Sequence, residues 1–232
     1  KEFGFRILED ASHAIGAQRN GEPVGSCRWS NIAVFSFHPV KIITSGEGGI
    51  ALTNDSELAW KMGILRTHGI TRDEGRLELD SLGPWYYEQQ TLGFNYRMTD
   101  IQAALGLSQL KKLDSIVKER NSLFYRYHEL LSELPLRLLK IPNDVLSSLH
   151  LAVVRLKDNC PEHHRTVFNG LRASGLGVEV HYTPVHLQPY YRSLGFREGD
   201  FPEAELYVSN AISIPLFPGL QESDLQRVQK TL

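Results

Sequence analysis

The sequence predicts an α/β protein: the remainder of a sheet-containing domain followed by a smaller α/β unit. Three observations carry this. A short apolar run, Phe5 to Leu8, delivers the acidic Asp10 at its end, as a buried parallel strand does. Two further apolar runs, Ile32 to Phe37 and Gly49 to Asn54, flank a loop that holds Lys41. A helical periodicity of more than 30 residues then leads into a second set of alternating strands and helices, long enough to bridge two domains. The predicted boundary is Leu134, giving domains 1–134 and 135–232.

The elements follow in order. Gln18 to Ser26 contains Asn20-Gly21 between short runs and reads as a turn or hairpin. Pro39 removes a backbone donor just after the Ile32 strand, so the ladder is predicted to stop there. Asn54 is the predicted N-cap of a helix, with Glu57 completing a box-like pair, and that helix runs to about His68. Residues 71–90 are polar, with scattered Gly and Pro, and read as a long loop that is functional or mobile. Thr99 caps the long helix, with Gln102 three residues on. Its apolar face includes Ile101, Leu105, Leu110, Leu113, Val117, Phe124, Tyr127 and Leu131, and Pro135 ends it. Beyond Pro142 the reading is a strand from Leu149 to Leu156, a helix from Cys160 to Ser174 stopped by Gly175, and a short strand from Gly177 to Val180. A helix starting at Pro202, an extended piece at Ile212–Pro215 and a last helix from Glu222 to Leu232 complete it.

At 232 residues the chain can bury a substantial core. Its net charge is −2 and no basic stripe is visible, which argues against nucleic acid or an anionic membrane as a partner. Cys27 and Cys160 stand far apart in no paired motif, which fits a reducing compartment. No run approaches the roughly 18 apolar residues of a spanning helix. These observations together predict a cytoplasmic protein.

The candidate chemistry centres on Lys41. It follows Ser36-Phe37-His38-Pro39-Val40 and precedes Ser45-Gly46-Glu47-Gly48-Gly49, a bend whose glycines permit close backbone approaches. A lysine on a constrained loop between apolar strands is where a Schiff-base amine would be placed, because desolvation favours its neutral form. The local sequence alone favours a surface lysine beside an ordinary turn; Asp10 changes the balance. Pyridoxal phosphate needs a carboxylate against its ring nitrogen, a phosphate-binding hydroxyl and an amine. Asp10, Ser36 and Lys41 supply all three in a workable order. His13, three residues after Asp10, also fits a satisfied turn histidine.

The motifs E-D-A-S-H-A-I-G-A, S-F-H-P-x-K, G-E-G-G and G-F-N-Y-R-M-T-D-I-Q-A-A resemble the DegT/DnrJ/StrS family of sugar-nucleotide aminotransferases, in register from Phe5 to Val228. The resemblance implies the later part of a fold-type-I, aspartate aminotransferase-like transferase that uses pyridoxal 5′-phosphate. It implies that Lys41 carries the cofactor, that Asp10, His13 and Ser36 bind it, and that Asn95 reaches the phosphate of the neighbouring subunit's cofactor. A homodimer with shared sites is implied in turn. Arg97 would take the carboxylate of glutamate, the amino donor, through its two-pronged guanidinium. His181, Tyr182 and His186 match the substrate-side segment. The implied acceptor is a nucleotide-linked keto sugar, most similar to the UDP-linked 4-keto sugars of pseudaminic acid biosynthesis. The start at Lys1, without an initiator methionine, implies a preceding segment with further cofactor contacts.

No metal site is predicted, since no acidic or cysteine ligand stands beside His181 and His186, and Cys160 to His164 opens a surface helix. Two alternatives stay open. Sugar dehydratases of the family use the cofactor with histidine at the position of Lys41. A non-catalytic regulatory or binding relative would hold the fold without the chemistry.

Overall fold

The computed structural model describes residues 3–232, which divide into two compact units between Leu113 and Asp114. In the first, β1 (Leu8–Asp10), β2 (Ile32–Ser36) and β3 (Gly49–Leu52) form one sheet in the order β1-β2-β3. β1 runs parallel to β2, with Asp10 opposite Val34, and β3 runs antiparallel, with Gly49 opposite Ser36. Alternate residues of β2, Ala33 and Phe35, are buried, as a period of two requires.

β1 differs from its predicted burial. Phe5, Ile7 and Leu8 are 68%, 43% and 66% exposed, because among the described residues β1 is bonded to β2 alone. The parallel pairing was legible in the apolar run. Between β1 and β2, Gln18–Arg19 pairs with Glu22–Pro23. The expected turn lies between them, with Asn20 and Gly21 both at positive φ, 51° and 74°, as a two-residue hairpin loop demands.

Helix α1 (Ser56–Leu65) is capped by Asp55 rather than Asn54. The Asp55 carboxylate accepts from the N–H groups of Glu57 and Leu58, while the Asn54 amide donates to the Ser26 carbonyl. The helix ends three residues before His68 because the chain turns away: Phe94 N–H donates to the Leu65 carbonyl, and His68 N–H to that of Phe94.

The segment read as a loop is more structured than its composition suggests. Ile70–Thr71 pairs with Glu88–Gln89, and Asp73 caps a short turn at Glu74–Arg76. Glu88, 9% exposed, accepts from the N–H groups of Glu78 and Leu79, from the Tyr86 hydroxyl and from the Gln90 amide. The bond from Glu78 N–H is foremost in holding its carboxyl below the usual range. Arg76 ties the segment to α1 through both oxygens of Glu57 and lies over the Trp60 ring at 4.3 Å.

The long helix is two helices, α2 (Asp100–Leu110) and α3 (Leu113–Leu130), interrupted at Lys111–Lys112. The Thr99–Gln102 capping box forms as expected. The single-helix reading fails because one apolar stripe serves two environments. Ile101, Leu107 and Leu110 of α2 are 85%, 58% and 47% exposed, whereas α3 buries Val117, Leu123, Phe124 and Tyr127. The units divide between Leu113 and Asp114, so nearly all of α3 belongs with the second rather than with residues 1–134 as expected.

In the second unit β4 (Leu136–Leu138), β5 (Ala152–Leu156) and β6 (Ala211–Ile214) form an antiparallel sheet in the order β6-β5-β4. The core joins Phe124, Tyr127 and Leu131 to Val154, Leu171, Ile212, Leu225 and Val228. Those residues come from α3 and the turn just after it, from α4 (Pro161–Ala173) and from the last helix, Glu222–Thr231, besides the sheet. The helix α5 (Pro202–Val208) precedes β6. Buried Arg120 donates to the Leu149 and Leu216 carbonyls, and the Tyr127 hydroxyl to that of Pro215. β5 starts three residues later than expected, after Leu149 turns at φ 51°. The predicted Gly177–Val180 strand reduces to one bridge, Glu179 opposite Ser213.

Candidate active site

The first unit assembles the Lys41 loop from both sides. Phe37 N–H donates to the Gly48 carbonyl and Ser45 N–H to the Phe37 carbonyl, closing residues 37–48 into a loop at the end of β2. Lys41 N–H donates to the His38 carbonyl at 3.0 Å, and the next two residues, Ile42 and Ile43, are 5% and 2% exposed. Lys41 is thereby pinned on a tight turn by its buried neighbours and remains half-buried itself. The Thr44 hydroxyl donates to the Phe37 carbonyl and accepts from Gly46 N–H, and Ser45 donates to the Glu47 carbonyl. Gly48 has φ 150°, and a Cβ there would stand 2.5 Å from the Met98 methyl. Only glycine suits that position.

Asp10 ends β1 next to this loop. One carboxylate oxygen, Oδ1, accepts from Ser12 Oγ at 2.6 Å and Ser12 N–H at 3.1 Å. Those two bonds hold the carboxyl below its usual range, and the charges of His13 and Lys41 add to the effect. Asp10 is exposed, and its Oδ2 takes no hydrogen bond among the described residues. Lys41 Nζ makes no hydrogen bond or ion pair among them either, and the Ser36 hydroxyl only accepts a 3.4 Å bond from His38 N–H.

This arrangement fits pyridoxal phosphate in its chemistry. An oriented carboxylate keeps one oxygen uncommitted for a ring N–H, an amine is uncommitted, and a serine hydroxyl has its proton to give. Ser12, which orients Asp10, was not among the candidates. Its signal was present as the Asp-x-Ser spacing, in which an aspartate side chain bonds its own backbone two residues on.

Asp10, His13, Ser36, Lys41, Asn95 and Arg97 all fall in the first unit; His181, Tyr182 and His186 fall in the second. Asn95 bridges to Thr67 just beyond α1, and Phe94 stacks on Tyr96 at 4.7 Å, so residues 93–96 form a fixed strip. Asn95 and Arg97 are exposed, and no side-chain bond joins either to Asp10, Ser36 or Lys41. In the second unit His181 Nδ1 lies 2.7 Å from Ser213 Oγ, and Tyr182 is 63% exposed. His186 is 7% exposed and its Nε2 lies 2.7 Å from Glu205, which also accepts from Gly199 N–H. That ring nitrogen is engaged within its own unit.

Among the described residues no helix is long and apolar enough to cross a membrane. None of their His, Cys, Asp and Glu side chains gather into a group of three that could hold a metal.

A parallel strand ending in an oriented aspartate, beside a glycine-bounded lysine loop and followed by a second α/β unit, is the framework of a fold-type-I transferase. The chain belongs to the DegT/DnrJ/EryC1/StrS aminotransferase family, whose pattern it matches over residues 1–232. It is 34% identical over 232 residues to the spore coat polysaccharide biosynthesis protein SpsC of Bacillus subtilis, covering 98% of this chain and 59% of SpsC. It is 37% identical over 228 residues to an uncharacterized protein of Methanocaldococcus jannaschii, covering 97% of this chain and 58% of that one. Among solved structures it resembles Helicobacter pylori PseC, an aminotransferase involved in the biosynthesis of pseudaminic acid. The TM-score is 0.88 at 31% identity, over 99% of this chain and 59% of PseC. A Streptococcus pneumoniae structure solved in PLP, PMP and apo forms also gives 0.88 at 31% identity, over 97% of this chain and 56% of that one. The chain thus spans somewhat under three-fifths of the curated relatives it matches.

Proposed function

We propose that the protein is a pyridoxal phosphate-dependent aminotransferase that moves an amino group from glutamate to a keto carbon of a nucleotide-linked deoxysugar. The observation that carries this reading is the pairing of Asp10, one oxygen fixed by Ser12, with an uncommitted Lys41 on a closed loop. Pyridoxal phosphate, when bound, supplies a ring that accepts electron density from the amine-bearing carbon. Asp10 Oδ2 accepts the ring N–H and keeps that nitrogen protonated. Ser36 Oγ would donate to the phosphate, and His13 would contribute to holding the ring. Lys41 Nζ would hold the cofactor and, once displaced by the donor amine, would be free to carry the proton to and from the donor's α-carbon, work typically worth about 10²–10⁴ in rate. Arg97 binds the donor carboxylate through two N–H groups. His181, Tyr182 and His186 would contact the sugar, and Glu205 holds His186 in place within its own unit.

The acceptor reading is the 4-keto position of a UDP-sugar in pseudaminic acid biosynthesis, supported by the likeness to PseC. Lys41 itself disfavours the dehydratase alternative, which has histidine there. The setting is cytoplasmic. Adding glutamate to the cofactor-loaded intact protein should shift its visible absorbance to that of the aminated cofactor within seconds. A spectrum unmoved by glutamate but moved by another amine would replace the donor; one moved by no amine would leave a binding protein.

The protein acts as a homodimer in which Asn95 serves the neighbouring subunit's phosphate. Asn95 is exposed and its side chain takes no partner in its own unit, as a residue acting across an interface requires. Mixing Asn95→Ala and Lys41→Ala proteins should yield hybrid dimers with one intact site and up to about a quarter of native activity, since half the dimers are hybrid and each has one site of two. Hybrids that form without recovering activity would place Asn95 in its own subunit's site.

A further inference from the structure

The second unit holds a cavity of about 670 Å³ whose charge runs against the rest of this mildly acidic chain. β4 and β5 set Arg137 directly opposite Arg155, so both side chains leave the same face of the sheet. Both line the cavity together with Lys140 and His128, and no aspartate or glutamate lines it. Arg155 is held in place: its Nε donates to Asn210 Oδ1 at 2.7 Å, and its guanidinium lies 5.5 Å from the centre of the Tyr207 ring. Asn210 is 1% exposed and is itself bonded to Asn159. Arg137 and Lys140 make no hydrogen bond or ion pair among the described residues.

Like charges directly opposite on a ladder destabilise it. Here two arginines stand opposite each other on the ladder and line one cavity without a carboxylate, Arg155 oriented by a buried amide and an aromatic ring. We propose that this cavity binds a phosphorylated ligand of mononucleotide size. Two facing guanidiniums match a phosphate monoester, which carries close to two negative charges at neutral pH, better than a single carboxylate. The remaining wall supplies Leu131, Val153 and Tyr207, on which an apolar or planar portion rests. The volume falls within the roughly 300–1,000 Å³ of small-molecule sites. None of these residues belongs to the Lys41 site, so the proposal stands apart from the aminotransferase reading.

The test uses the intact protein with adenosine 5′-monophosphate in calorimetric titrations. Inorganic phosphate and adenosine are the comparison probes. The nucleotide should bind with a dissociation constant below about 1 mM, Arg137→Ala should weaken it at least tenfold, and Arg137→Lys should fall between. Lys41→Ala should leave this binding unchanged. Arg137 is exposed, so its variants are expected to fold. As a check, Arg137→Thr should melt about 1–2 °C above the native protein in the absence of ligand, because the like-charge pair is gone. Adenosine binding as well as its monophosphate would overturn phosphate recognition. Phosphate alone binding as tightly would overturn the nucleotide-sized ligand. Equal binding by native and Arg137→Ala protein, no binding at all, or a lower melting temperature for Arg137→Thr would overturn the site.

Discussion

Lys41→Ala in the intact protein is expected to end amino transfer and to prevent borohydride from fixing the cofactor to the chain. In the native protein, reduction followed by peptide mapping should find the label on Lys41 alone. The expectation rests on how the loop is built. Ile42 and Ile43 are buried beneath the turn, and the 37–48 loop is closed by backbone bonds at its base. The Lys41 side chain contributes no bond to that closure, so alanine should leave the loop in place and remove only the amine. The loss combines the anchoring amine with the general base, of which the base alone accounts for about 10²–10⁴ in rate. Near-native melting with no reducible cofactor is therefore the signature. Label on any other lysine would move the site elsewhere.

Asp10→Asn should separate binding from chemistry. The substitution keeps the shape and an oxygen able to accept from Ser12, but it removes the charge that holds the ring nitrogen protonated. A charge-assisted hydrogen bond is worth about 1.5–3 kcal/mol. If that stabilisation is realised mainly in the transition state, the rate falls roughly 10- to 150-fold. Loss of electron withdrawal by the ring should add to this. Cofactor should still be reducible onto Lys41 in the variant. Ser12→Ala tests the same point from the other side. It removes the bond from Ser12 Oγ, leaves the backbone N–H bond to the same oxygen, and lets the carboxyl rise part of the way toward its ordinary range. Near-normal turnover in Asp10→Asn would mean that another acid holds the nitrogen.

Local chemistry was legible wherever a short-range rule decides it. Asn20-Gly21 specifies its turn through two positive φ angles, and Thr99 with Gln102 specifies a helix start through reciprocal bonds three residues apart. Asp10, Ser36 and Lys41 could be read in order because strand ends and glycine bends leave marks in composition. The capping of α1 was missed by one residue, since Asn54 and Asp55 are both capable caps. What decided between them was the bond from the Asn54 amide to Ser26, 28 residues away.

The sequence by itself determined the fold class, the alternation that buries Ala33 and Phe35, and the residue types the cofactor chemistry needs. Tertiary structure alone decided the rest. The spacing of Leu110 and Leu113 continues one stripe without a mark, so the break at Lys111–Lys112 could not be seen. It follows from α2 leaving its leucines exposed while α3 seals a core with β5 and β6. The polar run 71–90 looked unstructured because its order rests on contacts distant in sequence, among them the buried Glu88 carboxylate gathering donors from Glu78, Leu79, Tyr86 and Gln90, and Arg76 bonded to Glu57. The pairing of Arg137 with Arg155 was likewise invisible, since register between strands 18 residues apart is set by packing. Periodicity reports which face of an element is apolar; what covers that face depends on contacts distant in the chain.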